Sequence, residues 1–463
     1  LLLRLVYDDL LAQAAYLIAC QRTGEAIVID PARDVDRHLA AAKDAGVRIV
    51  AVAETHIHAD FLSGARQLAE DHGAKLYLSD EGGPDWSYRW AHGLNVQLVR
   101  HGYRIRIGGI QLEVVHTPGH TPEHICFLVT DRGAGAAEPM GLASGDFVFV
   151  GDLGRPDLLE TAAGVAAAKE PAARRLAESA RRFLEMPDWL QVWPGHGAGS
   201  SCGKALGAVP QTTVGYERRF NPALALAGDD DAFVRAILSG QGEPPLYFGR
   251  MKRLNRDDPP RLVALPMPRA MDVPDPRRVV VLDTRSREEF DAAHLPGSLT
   301  APFGANLCVV AGSYVRPEEP VHLIVDDTRL DRTVRALVRM GIDRIEGWTS
   351  PARLAQTPGL APFPRVGVDA LAAPAAGTVV LDVRSEEEFR GGHLDGALNI
   401  PHTRLLERLV HVPVGRPVLV HCQAGSRSIL AAAMLRRAGY DAVDVGGGMA
   451  ACGQQPAVRE GRS

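Results

Sequence analysis

One passage of this chain occurs twice. Val280-Val281-Leu282-Asp283-Thr284-Arg285-Ser286-Arg287-Glu288-Glu289-Phe290, followed by His294 and Gly297, returns as Val379-Val380-Leu381-Asp382-Val383-Arg384-Ser385-Glu386-Glu387-Glu388-Phe389, followed by His393 and Gly396, at an offset of 99 residues. Each copy reads as an apolar strand, an acidic turn entering a helix, and a His-x-x-Gly loop. A repeat this close predicts two copies of one small α/β domain. At 463 residues the whole chain is too long for one ordinary core, and three domains are expected. The stretch Gly249 to Pro276 is rich in Arg, Pro and Asp and reads as the end of the first domain. The expected division is 1–258, 265–358 and 364–460.

The second copy contains the reactive thiol. Pro417-Val418-Leu419-Val420 reads as a buried strand, running into His421-Cys422-Gln423-Ala424-Gly425-Ser426-Arg427-Ser428 and then a helix from Ile429 to Arg437. A cysteine in a loop at a helix N-terminus faces free backbone N–H groups and the positive end of the helix dipole, which favours its thiolate and makes it a nucleophile. Arg427 is expected to close the loop and attract anions. Four residues separate Cys422 from Arg427. These motifs and this spacing resemble the rhodanese family; cysteine phosphatases need a longer loop to surround a phosphate. In the first copy the corresponding position is Asp326, which cannot carry sulfane sulfur, and Cys308 lies elsewhere. That copy is expected to be a catalytically silent spacer or docking domain.

The first half of the chain concentrates histidines at strand ends. Arg48 to Ala53 reads as a buried strand and runs into Glu54-Thr55-His56-Ile57-His58-Ala59-Asp60-Phe61, then a helix beginning near Ser63. His116-Thr117-Pro118-Gly119-His120-Thr121-Pro122-Glu123-His124 follows a second strand-like run, Ser144-Gly145-Asp146 a third, and Val192-Trp193-Pro194-Gly195-His196 a fourth. Imidazoles and carboxylates converging from separate strand ends point to a shared zinc, iron or manganese site.

This order, His-x-His-x-Asp followed by a distant His, an Asp and a last His, resembles the metallo-β-lactamase superfamily. The resemblance implies an αββα sandwich. Thiol-ester hydrolases of the glyoxalase II kind have a second-metal histidine directly after the Asp. Here that position is Phe61, so one metal rather than two is expected. The persulfide dioxygenases of the superfamily use a single Fe(II), and the resemblance assigns its ligands to His56, His120 and Asp146. His58, Asp60 and His196 are then expected to surround and orient these ligands, or to be the alternative metal ligands. Arg155 in Gly154-Arg155-Pro156-Asp157 resembles the arginine that binds the thiol part of the substrate, and Tyr216 is expected to line the substrate channel. Cys202, two residues before Lys204, is expected to have a depressed pKa and, with Cys20, to relay persulfide.

The whole arrangement resembles persulfide dioxygenase–sulfurtransferase fusions. The expected fold is an αββα metallo-β-lactamase sandwich followed by two small α/β rhodanese-like domains. The expected activity is oxidation of thiol persulfides with O2 to sulfite and free thiol, with one Fe(II) per chain. Sulfur transfer to or from thiosulfate and sulfite through Cys422 is expected beside it, the whole serving sulfide detoxification. The alternatives are a zinc thioester hydrolase with a rhodanese attachment, and a non-catalytic persulfide carrier or sensor. A net charge of −5 and the lack of a basic tract argue against nucleic acid, and no apolar stretch is long enough for a bilayer. Six scattered cysteines do not make a disulfide framework and suit a reducing compartment. Leu1-Leu2-Leu3 is soon followed by Asp8 and Asp9, so no secretory signal and a cytoplasmic location are expected; the missing initiator Met is expected to reflect trimming or a partial chain. Fusions of this kind are often homo-oligomers. Cys452 is expected to serve packing.

Overall fold

The computed structural model describes residues 1–200, 202–204, 206–451 and 458–459. Cys452 lies outside the described residues. The chain divides into two compact units, Leu1–Ala264 with Val338–Met340, and Leu265–Leu337 with Gly341–Ser463. No helix among the described residues is long and apolar enough to cross a membrane.

The first unit is built on two six-stranded sheets. One runs in chain order through β1 (Leu2–Asp8), β2 (Gln13–Cys20), β3 (Glu25–Ile29), β4 (Arg48–Ala53), β5 (Lys75–Ser79) and β6 (Val96–Val99). The other contains β7 (Arg104–Ile107), β8 (Ile110–His116), β9 (Ile125–Asp131), β10 (Gly141–Gly145), β11 (Gln191–Pro194) and β12 (Thr212–Thr213). Alternate residues of a strand point to opposite faces, and both faces here are apolar. Tyr16, Ile18, Ile27 and Ala51 of the first sheet meet Leu112, Val114, Phe127 and Trp193 of the second in one buried cluster. The outer face of the first sheet packs Leu17, Val28, Val52 and Leu76 against Val35, Ala42, Ala65 and Leu68, at or within α1 (Asp36–Asp44) and α2 (Ala65–His72). The helix Lys169–Leu184 covers the second sheet with Leu176, Ala177, Ala180 and Phe183. These layers make an αββα sandwich of the metallo-β-lactamase type.

The histidine loops leave this sandwich at neighbouring strand ends, as their positions after apolar runs predicted. Gly145 closes β10 at φ +51°, and a Cβ there would stand 2.5 Å from the Thr55 hydroxyl, so only glycine lets the Asp146 loop approach the His56 loop.

The stretch read as an interdomain segment begins as a helix, Tyr247–Asp257. Its buried face contains Tyr247, Phe248 and Met251, but also Lys252 and Asn255, which is why its composition reads as polar linker. Asn255 clamps the histidine loop. Its Nδ2 donates to the carbonyls of His58 (3.0 Å) and Phe61 (2.7 Å), and its Oδ1 accepts the Ser63 N–H (2.9 Å). The indole of Trp90 donates to the Asn255 carbonyl at 2.8 Å. The first helix, α1, starts after Val35 with no side-chain cap.

In the second unit the repeated strands occupy equivalent places in two five-stranded sheets. One runs Arg269–Ala270, Ile345–Thr349, Val321–Ile324, Val280–Asp283, Leu299–Thr300. The other runs Arg365–Val366, Ala442–Val445, Val418–His421, Val379–Asp382, Leu398–Asn399. All pairings in both are parallel. Ser286 and Ser385 each close a capping box, with Glu289 and Glu388, at the start of the helix that follows the repeated strand.

Asn255→Ala strands two buried carbonyls and one N–H, and is expected to destabilise the first unit by about 3 kcal/mol. Urea unfolding followed by tryptophan fluorescence measures this, with exposed Arg253→Ala on the same helix as a control that shifts stability by less than about 0.5 kcal/mol.

Candidate functional site

Beyond the end of β4, Thr55 is fixed by Asp30, which takes its N–H at 2.7 Å and its hydroxyl proton at 2.8 Å. Asp30 itself sits at φ +52°, a strained conformation for a non-glycine residue at the edge of the site. Having donated to Asp30, the Thr55 oxygen accepts from His56 Nδ1 at 2.9 Å. That places the ring proton on Nδ1 and leaves Nε2 with its lone pair. His56 Nε2 lies 3.8 Å, and His120 Nε2 3.7 Å, from Oδ2 of Asp146. Burial holds both imidazoles well below their ordinary pKa, and both are neutral at pH 7. Burial pushes the Asp146 carboxyl up to about 6.

His120 Nε2 and both Asp146 oxygens are buried without a hydrogen-bond partner. Two neutral imidazole nitrogens and a carboxylate, converging without bonding to one another, fit a bound divalent metal. Asp146 is also held from behind: its backbone N–H donates to His124 Nε2 at 3.0 Å, and His124 Nδ1 donates to the Thr117 hydroxyl at 2.8 Å. Glu123 fixes the other side by accepting the Ile57 N–H at 2.8 Å.

His58 turns away from this set. Its Nε2 lies 2.9 Å from Glu54 and 3.2 Å from Asp30, and the Phe61 ring packs on it at 4.3 Å between centroids. Burial opposes its protonation, but Asp30 and Glu54 prevail and hold the imidazolium form. The Ser63 hydroxyl donates to the other oxygen of Glu54. Asp60 and His196 stand on the opposite flank. His196 Nε2 lies 3.4 Å from both Asp60 Oδ2 and Asp146 Oδ1, and Cys202 joins Asp60 and His196 in a further buried cluster of ligand-type groups. The structure therefore brings His56, His120, Asp146, Asp60, His196 and Cys202 into one neighbourhood.

Several expectations are corrected. Burial, followed by the Asp60 and Asp146 carboxylates, pushes the Cys202 thiol up rather than down. The Lys204 ammonium donates to the Ala236 carbonyl. Cys20 ends β2 at the opposite edge from Gln13, which bridges to His196, roughly 20–25 Å along the strand. Its thiol is drawn down to about 7, chiefly by the Gly109 N–H at 3.2 Å, but the fold does not bring it to the metal donors. The guanidinium of Arg155 is buried and engaged internally, by Asp157 at 2.7 and 3.1 Å and by the Gly242 carbonyl at 2.7 Å, so it braces its own turn. Tyr216 is 50% exposed and packs on Phe220, on the surface rather than in a channel.

Sequence reasoning missed Asp30, Glu123, Lys252 and Asn255. Lys252 is buried, its Nζ has no hydrogen-bond partner, and it lies over the Trp86 ring at 5.0 Å from the centroid. Glu123 was visible in the His-x-x-Glu-His run; the other three carried no local signal.

In the second unit, Cys422 is buried between the strand Val418–His421 and the helix Ser426–Arg437. Its Sγ accepts the Gly425 N–H at 3.1 Å, and Gly425 takes φ +85° to present it. A Cβ on Gly448 would stand 2.2 Å from the Cys422 carbonyl, which explains glycine where the chain folds back over the cysteine. Arg427 forms a two-pronged pair with Glu388 at 2.6 and 2.7 Å. Burial works to raise the Glu388 carboxyl, yet Arg427 and the Ser385 N–H bring it down to about 2. Arg384 grips Asp382 and the Gly392 carbonyl, as a scaffold residue would. Asp326, at the equivalent point of the first copy, caps its own turn through Thr328.

The chain matches the sequence profile of the metallo-beta-lactamase superfamily over residues 8–196 and that of the rhodanese-like domain over residues 368–454. It is 30% identical over 223 residues to an uncharacterized protein of Aquifex aeolicus, covering 44% of this chain and 89% of that one. It is 34% identical over 182 residues to a hydroxyacylglutathione hydrolase of a Polaromonas species, covering 39% of this chain and 60% of that one. The crystal structure of a metallo-beta-lactamase from Staphylococcus aureus superposes with a TM-score of 0.69 at 38% identity, covering 76% of this chain and 99% of that one. With the donor set at the strand ends of its αββα sandwich and a rhodanese-like domain following, the chain belongs to the metallo-β-lactamase superfamily.

Proposed function

We propose that the chain oxidises low-molecular-weight thiol persulfides with O2 at His56, His120 and Asp146, and transfers sulfane sulfur through Cys422. The observation that carries this reading is the presence on one chain of a buried two-histidine, one-carboxylate donor set and a cysteine in a backbone N–H cradle. Residues 1–258 form the oxidising domain, 265–358 a copy without the nucleophile, and 364–460 the sulfur-transfer domain. A ferrous ion held by the donor set would supply the electron chemistry with O2 that a two-histidine, one-carboxylate site supports.

The chain's own residues do the rest. Thr55 and His124 fix the orientation of His56 and Asp146. Lys252 adds a buried positive charge that favours an anionic substrate in this part of the fold. Phe61 and Phe149, packed on His58 and His196, help exclude water from the reacting sulfur. The reaction balances as RSSH + O2 + H2O giving RSH + H2SO3: the outer sulfur is oxidised, O2 is reduced, and the cleaved sulfur–sulfur bond leaves the thiol protonated.

A second reading, a zinc thioester hydrolase, is favoured by the hydroxyacylglutathione hydrolase relative and by the Asp60–His196–Cys202 cluster, which offers a second metal position. Against it, His58 is committed to Glu54 and Asp30 and covered by Phe61.

Protein purified without added metal is expected to contain about one iron per chain and to consume O2 with a thiol persulfide; His56→Ala abolishes both. Zinc in place of iron, with thioester hydrolysis and no O2 uptake, would establish the second reading instead. Cys422→Ser is expected to reduce sulfur transfer from thiosulfate to cyanide to background while O2 uptake persists, measured as thiocyanate formation beside an oxygen electrode.

A further inference from the structure

The two copies of the repeat differ at only two of their eleven matched positions, and only one difference changes charge: Arg287 stands where the second copy has Glu386. Arg287 is the first residue of the helix Arg287–Ala292. A cation there opposes the helix dipole, and Glu386 shows the locally favourable choice. Local stability therefore does not account for Arg287, and such departures mark residues kept for something beyond their own element.

The second unit shows where Arg287 reaches. The two copies are braced together. Arg365 pairs with Asp291, Arg437 donates to the Val279 carbonyl at 3.2 Å, and the connecting residue Ala361 exchanges backbone hydrogen bonds with His294 at 2.9 and 3.0 Å. This packing brings Arg287 over the Cys422 loop. A Cβ placed on Gly425 would stand 3.3 Å from Nη2 and 3.9 Å from Nη1 of Arg287. Gly425 is the residue whose N–H donates to Cys422 Sγ at 3.1 Å. Among the described residues no carboxylate pairs with the Arg287 guanidinium, which is half-buried. The arginine inside the loop, Arg427, is by contrast neutralised by Glu388. Arg427 also interacts with Cys422, but the cation without a carboxylate partner beside the Cys422 loop comes from the copy that has lost its own nucleophile.

We propose that Arg287 is a substrate-binding residue of the Cys422 site, selecting anionic sulfur donors and acceptors such as thiosulfate and sulfite. This rests on the reading of Cys422 as the sulfur-transfer thiol. In the step it serves, the Cys422 thiolate attacks the outer sulfur of thiosulfate. A new sulfur–sulfur bond forms to Cys422, the bond to the sulfonate sulfur breaks, and sulfite departs with the electron pair. Arg287 meets the sulfonate oxygens, which are anionic in thiosulfate and in the departing sulfite alike. The first copy is then one wall of the active site rather than a spacer.

The full-length chain tests this in two ways. Arg287→Gln is expected to raise KM for thiosulfate by about tenfold or more with kcat little changed, and Arg287→Lys to recover part of the loss. Alkylation of Cys422, followed by peptide mass, supplies a readout that a merely structural role would not move. Arg287→Gln should slow reaction with iodoacetate, an anion, while leaving reaction with neutral iodoacetamide unchanged. O2 uptake with persulfide should match the parent. A thiosulfate KM within twofold of the parent, or equal slowing of both alkylating agents, overturns the proposal. Sulfur transfer that survives Cys422→Ser overturns the reading of Cys422 itself, and the proposal with it.

Discussion

The Thr55 hydroxyl has one proton to give, and the fold gives it to Asp30. Everything at the metal donors follows from that direction. Because the oxygen has donated, it can only accept from His56, so the ring proton sits on Nδ1 and Nε2 faces Asp146 bare. Asp30 is held at a positive φ to reach Thr55, and Gly145 is required so that the Asp146 loop can pass against the same hydroxyl. A single hydrogen-bond direction therefore ties together three strand ends from both sheets. It also explains the strain at Asp30, which reaches His56 through Thr55.

The centre is crowded with ionisable groups that water does not reach. Asp30, Glu54, Asp60, Glu123 and Asp146 are all buried, and His58 and Lys252 stand among them. Burying unpaired charge costs several kcal/mol per group, so such an arrangement persists only where charges compensate one another or an ion completes them. On one flank the compensation is internal, with His58 between Asp30 and Glu54. Around Asp146 it is weaker: His56 and His120, beside one oxygen, are neutral, and His196 stands 3.4 Å from the other. The asymmetry separates a closed structural flank from an open chemical one.

Much of this was legible in the sequence because the motifs are local. The donors follow apolar strands at short spacings, and Cys422 opens a loop of readable length, so the order of residues alone placed them at strand ends. The repeat was equally plain, and the two sheets of the second unit follow it strand by strand. What could not be read are the residues that act across long separations. Asn255 reaches back to His58, Phe61 and Ser63 from a helix whose buried face includes a lysine and an asparagine, a pattern that passes for linker. The Arg155 partner was not legible because an arginine fork fits a substrate carboxylate and Asp157 equally well, and only the packing shows it on Asp157. The Cys202 thiol was misjudged because burial and the Asp60 and Asp146 carboxylates, none of them visible at its place in the sequence, decide its pKa.

His56, His120 and Asp146 are each 1% exposed. Ligands this deep cannot trade an ion with solvent by simple dissociation; the loops that Asn255 and Thr55 clamp must first open, and such openings are rare excursions of a stable fold. Metal capture is thereby coupled to folding. Which ion the mature protein holds becomes a matter of history: it reflects what was available when the loops closed, more than the ranking of affinities at the finished site.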